Sequence, residues 1–176
     1  MIETTQKIKG RPIYDHDQNL IGRVSKPIID VQNGQVLGFK IAARGVHILV
    51  PTDIQEWNSD FILTTSNFEI YSPQDIVRLE RSISAKISIK NKKVYTKSNN
   101  FLGKVKDYSI DTNAMVMDSL YVNQKLFKIL TIRRRIIKQK DIVEIKHNKI
   151  IVKDSGIKVP VVDRAKFNAP SSQPTS

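Results

Sequence analysis

The sequence predicts an all-β protein built from two small antiparallel barrels that follow each other along the chain. Short apolar segments alternate with polar turns and show no helical period, which is typical of small barrels and sandwiches. Most of the pattern at residues 9–41 also returns later in the chain, which indicates an internal duplication. The matching pairs, each 81 residues apart, are Ile13 and Val94, Tyr14 and Tyr95, Gly22 and Gly103, Val24 and Val105, Ile29 and Ile110, Asp30 and Asp111, Val36 and Met117, Phe39 and Leu120, and Ile41 and Val122.

The first unit, residues 1–71, is predicted to form five short strands. Between the first two, residues 15–19 form a polar turn, because Asp and Asn side chains bond their own backbone. Gly22 interrupts the second strand and predicts a bulge or a sharp bend. Asn33-Gly34 is typical of a type I′ hairpin turn. The predicted strands are 12–14, 20–31, 36–43, 46–50 and 61–64.

A short connector helix is predicted at residues 72–82. Ser72 can cap a helix, Pro73 suits the first helical position, and Asp75 favours the positive end of the helix dipole.

The second unit, residues 83–155, repeats the plan of the first with one change. From Ile48 and Ile136 onward the spacing between matching residues is 88 instead of 81. Seven additional residues therefore fall in the hairpin at residues 123–135, which predicts longer strands or a larger loop there. An insertion in one copy is a place to look for function, because loops vary while the scaffold persists.

The last segment, residues 156–176, contains proline and serine and is predicted to be a mostly disordered tail. Each barrel of about 75 residues would bury so little surface that it would be only marginally stable alone. We therefore expect the two barrels to pack against each other.

The net charge of +12 lies entirely in the second half of the chain. Residues 1–82 hold 9 Lys and Arg against 10 Asp and Glu, a balance of −1, and residues 83–176 hold 20 against 7, a balance of +13. Such asymmetry points to an anionic partner: an acidic protein surface, RNA or a ribosome, or an anionic membrane surface. The alternative is a solvated basic face that only aids solubility.

The densest positive cluster falls in and after the inserted hairpin, and its members are the candidate partner-binding residues. Arginine can fork onto carboxylate or phosphate oxygens. The alternative interpretation is a charged strand edge that prevents sheet-to-sheet aggregation. The candidates are Lys125, Lys128, Arg133, Arg134, Arg135, Lys138 and Lys140.

Aromatic residues near these charges suggest base stacking as a further hypothesis. Tyr95 and Phe101 match the apolar positions Tyr14 and Leu20 of the first unit, so we predict that both belong to the core. Roles for Tyr108, Tyr121 and Phe127 are left open by the sequence.

No catalytic, cofactor-binding or metal-binding residue is predicted, and the chain is expected not to be an enzyme. It has no cysteine, its three histidines stand at no metal-ligand spacing, and it has no glycine-rich phosphate loop. Asp15, Asp17 and Asn19 have the spacing that opens a calcium loop, but Lys26 stands where such a loop needs glutamate, so a turn is predicted.

The absence of a signal-peptide pattern and of a long apolar run leads us to expect a cytoplasmic protein. Attachment to the inner face of a membrane is the alternative.

Both units resemble the PRC-barrel domain. The first carries PIYDHDQNLIGRVSKPIIDVQNGQVLGFKI and ILVPTDIQEWNSDFIL, and the second carries VYTKSNNFLGKVKDYSIDTNAMVMDSLYV and IIKQKDIVEIKHNKIIV. The resemblance covers residues 9–153 and is clearer in the first copy, since the second lacks the Asn-Gly turn. PRC-barrels occur in the cytoplasmic part of the photosynthetic reaction-centre H subunit and in the C-terminal domain of the ribosome maturation factor.

The resemblance implies two tandem PRC-type barrels that act as a non-enzymatic adaptor or assembly module, with the basic second barrel docking on an acidic protein. A ribosome- or RNA-associated maturation factor and a peripheral membrane scaffold are the alternatives. The sequence predicts no oligomeric state.

Overall fold

The computed structural model describes residues 1–42, 46–65, 88–126 and 131–154, except for the side chains at 46, 126, 131 and 132. The predicted connector helix, the predicted tail, Lys128 and Phe127 lie outside these residues. The elements in chain order are β1 (Ile2–Thr4), α1 (Thr5–Ile8), β2 (Pro12–Tyr14), β3 (Leu20–Ile29), β4 (Val36–Ala42), β5 (Val46–Leu49), a 3₁₀ helix (Pro51–Asp53), β6 (Ile54–Trp57), β7 (Ile62–Thr64), β8 (Lys93–Thr96), β9 (Phe101–Asp111), β10 (Val116–Leu126), β11 (Thr131–Lys138), a second 3₁₀ helix (Gln139–Asp141), β12 (Ile142–Ile145) and β13 (Lys149–Val152).

These strands form two curled sheets with the same internal order, so the prediction of an all-β fold with two barrels is confirmed. The first sheet runs β5-β4-β3-β2-β7-β6 and the second runs β11-β10-β9-β8-β13-β12. Neighbouring strands are antiparallel except for β2 with β7 and β8 with β13, which are parallel. Each sheet thus contains one parallel pair within the predicted antiparallel plan. Strand β6 is an addition to the five strands predicted for the first unit, and β12 is its counterpart in the second unit.

The duplication extends to individual hydrogen bonds. Gly10 donates its N–H to Val24, and Asn91, 81 residues later, donates to Val105, each at 2.8 Å. The strand register shifts next to Gly22 in one unit and next to Gly103 in the other, which confirms the predicted irregularity at the strand glycine.

The seven-residue insertion lengthens strands, as predicted. β10 has 11 residues where β4 has 7, and β11 has 8 where β5 has 4.

The N-terminal strand crosses to the other sheet. β1 pairs antiparallel with β9, with Glu3 opposite Ile110, although it belongs to the first unit in sequence. α1 follows β1 directly, and the Thr5 hydroxyl donates to Asp107 on β9 at 2.5 Å. The first residues of the chain therefore tie the two units together.

Turns from the two units also meet. Val36 donates its N–H to the Met115 carbonyl and Met117 donates to the Gly34 carbonyl, each at 2.8 Å. Buried side chains of both sheets, including Phe39 and Leu120, form one continuous apolar cluster. The expectation that the units pack against each other is confirmed.

Candidate functional site

The predicted basic cluster lies on β10, β11 and the 3₁₀ helix that follows, at one edge of the second sheet. Lys125, Arg133, Arg134, Lys138 and Lys140 are exposed. β11 pairs with β10 along its whole length, and in the described part of the chain no strand covers its other edge. The structure thus brings most of the predicted cations to one edge, and Lys128 is outside the described residues.

Arg135 differs from its neighbours because it is half-buried and turned into the sheet. Its Nη1 donates to the Leu102 carbonyl and to Gln124 Oε1, both at 2.9 Å. Burial and the nearby charge of Arg133 lower the pKa of its guanidinium. In the described residues no carboxylate forms an ion pair with it, so Arg135 supports β9 and its charge stays uncompensated.

Lys138 is paired within the protein. Its Nζ lies 3.1 Å from Asp118 Oδ2, and the Ser119 hydroxyl donates to the same carboxylate at 2.6 Å. Burial opposes ionisation of Asp118, but the hydrogen bonds from Ser119 and Lys138 hold its pKa below the ordinary value. Lys138 therefore offers a partner less charge than its exposure suggests.

An exposed isoleucine stands among these cations. Ile136 is 55% exposed, pairs with Tyr121 across the strands, and lies two residues from both Arg134 and Lys138, on the same face of β11. Its counterpart 88 residues earlier, Ile48, is fully buried.

The two isoleucines differ because the surrounding side chains differ. Ile48 packs in a small apolar cluster with Ile28, Leu37 and Val50. The matching positions in the second unit are polar, namely Ser109, Asp118 and Lys138. The second unit has therefore lost an apolar cover and kept an apolar side chain at the surface. Comparison of the two copies would have revealed this from sequence.

A row of cations crosses the second sheet at right angles to its strands. Cross-strand pairing places the side chains of directly opposed residues on one face of a sheet. The opposed residues, in order from β13 to β11, are Lys149, Lys93, Lys104, Asn123 and Arg134. We call Lys149, Lys93 and Lys104 the lysine row. It was missed because its members are distant in sequence, although alternation along β8 and β9 assigns Lys93 and Lys104 to the outer face.

The aromatic residues divide between core and surface. Tyr108 is buried, and burial raises the pKa of its hydroxyl. Tyr95 is half-buried, and its ring centroid lies 5.3 Å from that of Phe101. Phe101 is 42% exposed and Tyr95 is not among the buried core residues, so the assignment of both to the core was wrong. The strand irregularity puts Leu102 into the core in place of Phe101.

The described residues show no group of three His, Cys, Asp or Glu that could hold a metal ion. Among the helices described, none is long and apolar enough to cross a membrane. Asp15 accepts hydrogen bonds from the backbone and side chain of Asn19, as in an Asx-type turn.

Comparison with known proteins identifies the architecture of the first unit. The PRC-barrel domain family matches residues 3–69. No curated protein matches the chain. The match covers most of β1 and all of the first sheet, and the second sheet repeats the strand order of the first. The chain therefore contains a PRC-barrel domain at residues 3–69.

Proposed function

We propose that this protein is a non-enzymatic adaptor or assembly factor, with a second PRC-type barrel at residues 83–155 that docks on an acidic surface of a protein partner. The PRC-barrel domain at residues 3–69 is consistent with a protein-interaction or assembly module. The concentration of positive charge in the second half supports an acidic partner.

The exposure of Ile136 is the observation that carries this proposal. Exposed aliphatic side chains gain free energy when a partner covers them, and surrounding charges supply orientation and specificity. Arg134 lies beside Ile136 on the same face, and Arg133 is exposed on the same edge strand. An apolar residue within a basic rim matches a protein interface, whereas a polyanion alone would need only the charges.

The edge of β11, which no strand of the described residues covers, gives a partner a second means of attachment. An uncovered edge strand exposes N–H and C=O groups that an extended segment can pair with. β11 has the longer edge compared with β5, its counterpart. We therefore place the partner on Ile136, Arg133 and Arg134, along the edge of β11.

The test is affinity purification of the tagged full chain from nuclease-treated lysate at about 50 and about 300 mM salt, which separates screened from buried contacts. Ile136→Asn and Arg133→Glu/Arg134→Glu are compared with Leu20→Asn. Leu20 is a matched control, since it is 53% exposed but lies on the first sheet.

The proposal expects one protein partner that survives the higher salt, is lost with both β11 variants and is retained with Leu20→Asn. Equal loss with Leu20→Asn would contradict a site on β11. Absence of a protein partner at both salt concentrations, with RNA recovered from a parallel lysate without nuclease or with flotation on anionic liposomes, would move the function to the ribosome or the membrane.

A further inference from the structure

We infer that the outer face of the second sheet carries a binding site for single-stranded nucleic acid, formed by the lysine row and the neighbouring aromatic pair Tyr95 and Phe101. This activity goes beyond the protein adaptor role and uses a different part of the face. The lysine row lies on β13, β8 and β9, whereas Ile136 lies on β11 at the sheet edge.

The lysine row is electrostatically unfavourable in the free protein. Adjacent strands are about 4.8 Å apart, and like charges directly opposite each other destabilise a sheet. In the described part of the chain, no carboxylate forms an ion pair with Lys149, Lys93 or Lys104. Three lysines that repel each other and have no ion-pair partner among the described residues indicate a surface suited to an anionic ligand.

The barrel itself does not require these lysines. The matching residues of the first unit are Phe61, Pro12 and Arg23, which together carry one positive charge. Both units form the same strand order, so the fold tolerates either set. The additional charge is a property of the second unit alone.

The aromatic pair lies directly beside the lysine row. The Tyr95 and Phe101 rings are tilted by 49°, and Lys149 Nζ stands 5.9 Å from the centroid of Tyr95. Phe101 occupies the position of Leu20 in the first unit and leaves 42% of its surface exposed. Nucleic-acid bases stack on exposed rings of this kind while lysines follow the phosphate backbone.

Side chains from neighbouring strands hold the backbone at Phe101. Gln124 Nε2 donates to the Phe101 carbonyl at 3.3 Å, and Arg135 Nη1 donates to the next carbonyl, that of Leu102. Gly103 has φ +130°, and the strand register shifts there. Bulges of this kind re-aim neighbouring side chains. Gln124 and Arg135 therefore fix the strand segment that carries Phe101.

This combination favours a nucleic acid over an acidic peptide. Carboxylates would satisfy the lysines but leave the exposed ring without a planar partner. A single-stranded chain uses both parts of the surface, since every nucleotide supplies a phosphate and an aromatic face. RNA and single-stranded DNA share this chemistry, and the experiment separates them.

The test is fluorescence anisotropy with the full chain and labelled oligouridine and oligothymidine of about ten nucleotides, at salt from about 50 to about 200 mM. Lys93→Gln/Lys104→Gln/Lys149→Gln removes the row. Its control, Lys7→Gln/Lys9→Gln/Lys26→Gln, removes three exposed charges from the N-terminal region and the first sheet. Phe101→Leu restores the residue that the first unit carries at this position.

Each lost phosphate contact lowers the slope of log affinity against log salt by about 0.7 for single strands. The slope of log affinity against log salt should therefore be about 2 smaller in magnitude for the row variant than for the wild type. The control should keep the wild-type slope. Phe101→Leu should weaken binding about ten-fold or more at constant slope, because stacking of one base is lost. Tighter binding of oligouridine than oligothymidine would assign the site to RNA, and the reverse to DNA.

Three results would each overturn the inference. One is the absence of binding by the wild type at the lowest salt. Another is an equal loss of affinity in the row variant and in its control, which would show that binding depends on overall charge and not on the lysine row. The last is full affinity of Phe101→Leu together with displacement by polyglutamate, which would make the row an anchor for an acidic protein. The adaptor proposal is tested on nuclease-treated material, so the adaptor proposal and the nucleic-acid inference can fail separately.

Discussion

At the scale of single residues, Glu3 and Arg11 form a buried ion pair. Two guanidinium N–H groups donate to the two carboxylate oxygens, each at 2.7 Å, and Trp57 Nε1 donates to Glu3 Oε2 at 2.8 Å. Both charged side chains are buried. The hydrogen bond from Arg11 is the main cause that holds the pKa of Glu3 below its ordinary value, against the effect of burial.

Glu3→Ala is expected to lower the free energy of unfolding by about 3 kcal/mol or more, because it leaves the Arg11 charge buried without a partner. Urea denaturation near neutral pH measures this. Lys7→Ala, at an exposed position, should change stability by less than about 0.5 kcal/mol. Similar losses in both variants would show that the ion pair does not stabilise the fold.

The same ion pair predicts how the free energy of unfolding changes as pH falls. A carboxyl with a lower pKa in the folded state binds fewer protons there than in the unfolded chain. The stability that Glu3 contributes is therefore complete above its ordinary pKa of 4.5 and is lost as pH falls through its folded-state pKa. Unfolding free energies measured below pH 4.5 should fall with pH less steeply in Glu3→Gln than in the wild type. Parallel slopes would contradict this.

Gly103 and Gly10 are two glycines with different surroundings. Both have positive φ, but a Cβ at Gly103 would lie 2.3 Å from the Asn123 carbonyl oxygen, whereas a Cβ at Gly10 would meet nothing within 4 Å. Gly10→Ala should cost about 1 kcal/mol of stability, from backbone strain alone. Gly103→Ala should cost more than about 3 kcal/mol, because the neighbouring strand must move as well. Thermal and urea denaturation measure both, and equal losses would contradict the close approach.

At the scale of elements, Asp107 on β9 fixes the N-terminal helix. Its carboxylate accepts hydrogen bonds from the Thr5 hydroxyl at 2.5 Å and the Gln6 N–H at 3.3 Å, and it lies 2.9 Å from Lys90 Nζ. Burial raises its pKa, but the hydrogen bonds from Thr5 and Lys90 outweigh this and the pKa is lowered. The first unit has Lys26 at the matching position, so this attachment belongs to the second sheet alone.

Asp107→Ala is expected to release β1 and α1 from β9 before the rest of the sheet opens. Hydrogen exchange of backbone amides should speed up at residues 2–8 far more than at β6 and β7, because local opening follows the lost contacts. Asp118→Ala, which removes a carboxylate from β10, is the control. Unchanged exchange at residues 2–8 would show that strand pairing alone holds the segment.

At the scale of the whole molecule, the two barrels share hydrogen bonds and one apolar cluster. We expect them to unfold in a single cooperative transition. Trp57 is the only tryptophan and lies in the first unit. Gly103→Ala, in the second unit, should therefore lower the urea midpoint seen by Trp57 fluorescence as much as that seen by circular dichroism. A Trp57 midpoint that does not move would show that the barrels unfold independently.

Much of this architecture was predictable from particular residues. The pairs at spacings of 81 and 88 located the strands, and Gly22 marked the strand irregularity. The positive cluster was found at residues 125–140. The sequence did not predict which members of this cluster contact the protein itself. Arg135 turns inward to the Leu102 carbonyl and Lys138 pairs with Asp118 only once β9, β10 and β11 are assembled.

The sequence by itself determined the duplication, the all-β class and the excess of positive charge in the second half, because these follow from local periodicity and composition. Only the tertiary structure decided that β1 joins β9 and that Lys149, Lys93 and Lys104 form one row. These features depend on strand register, which pairs residues far apart in sequence. Register is fixed by the whole sheet, so no single segment carries it.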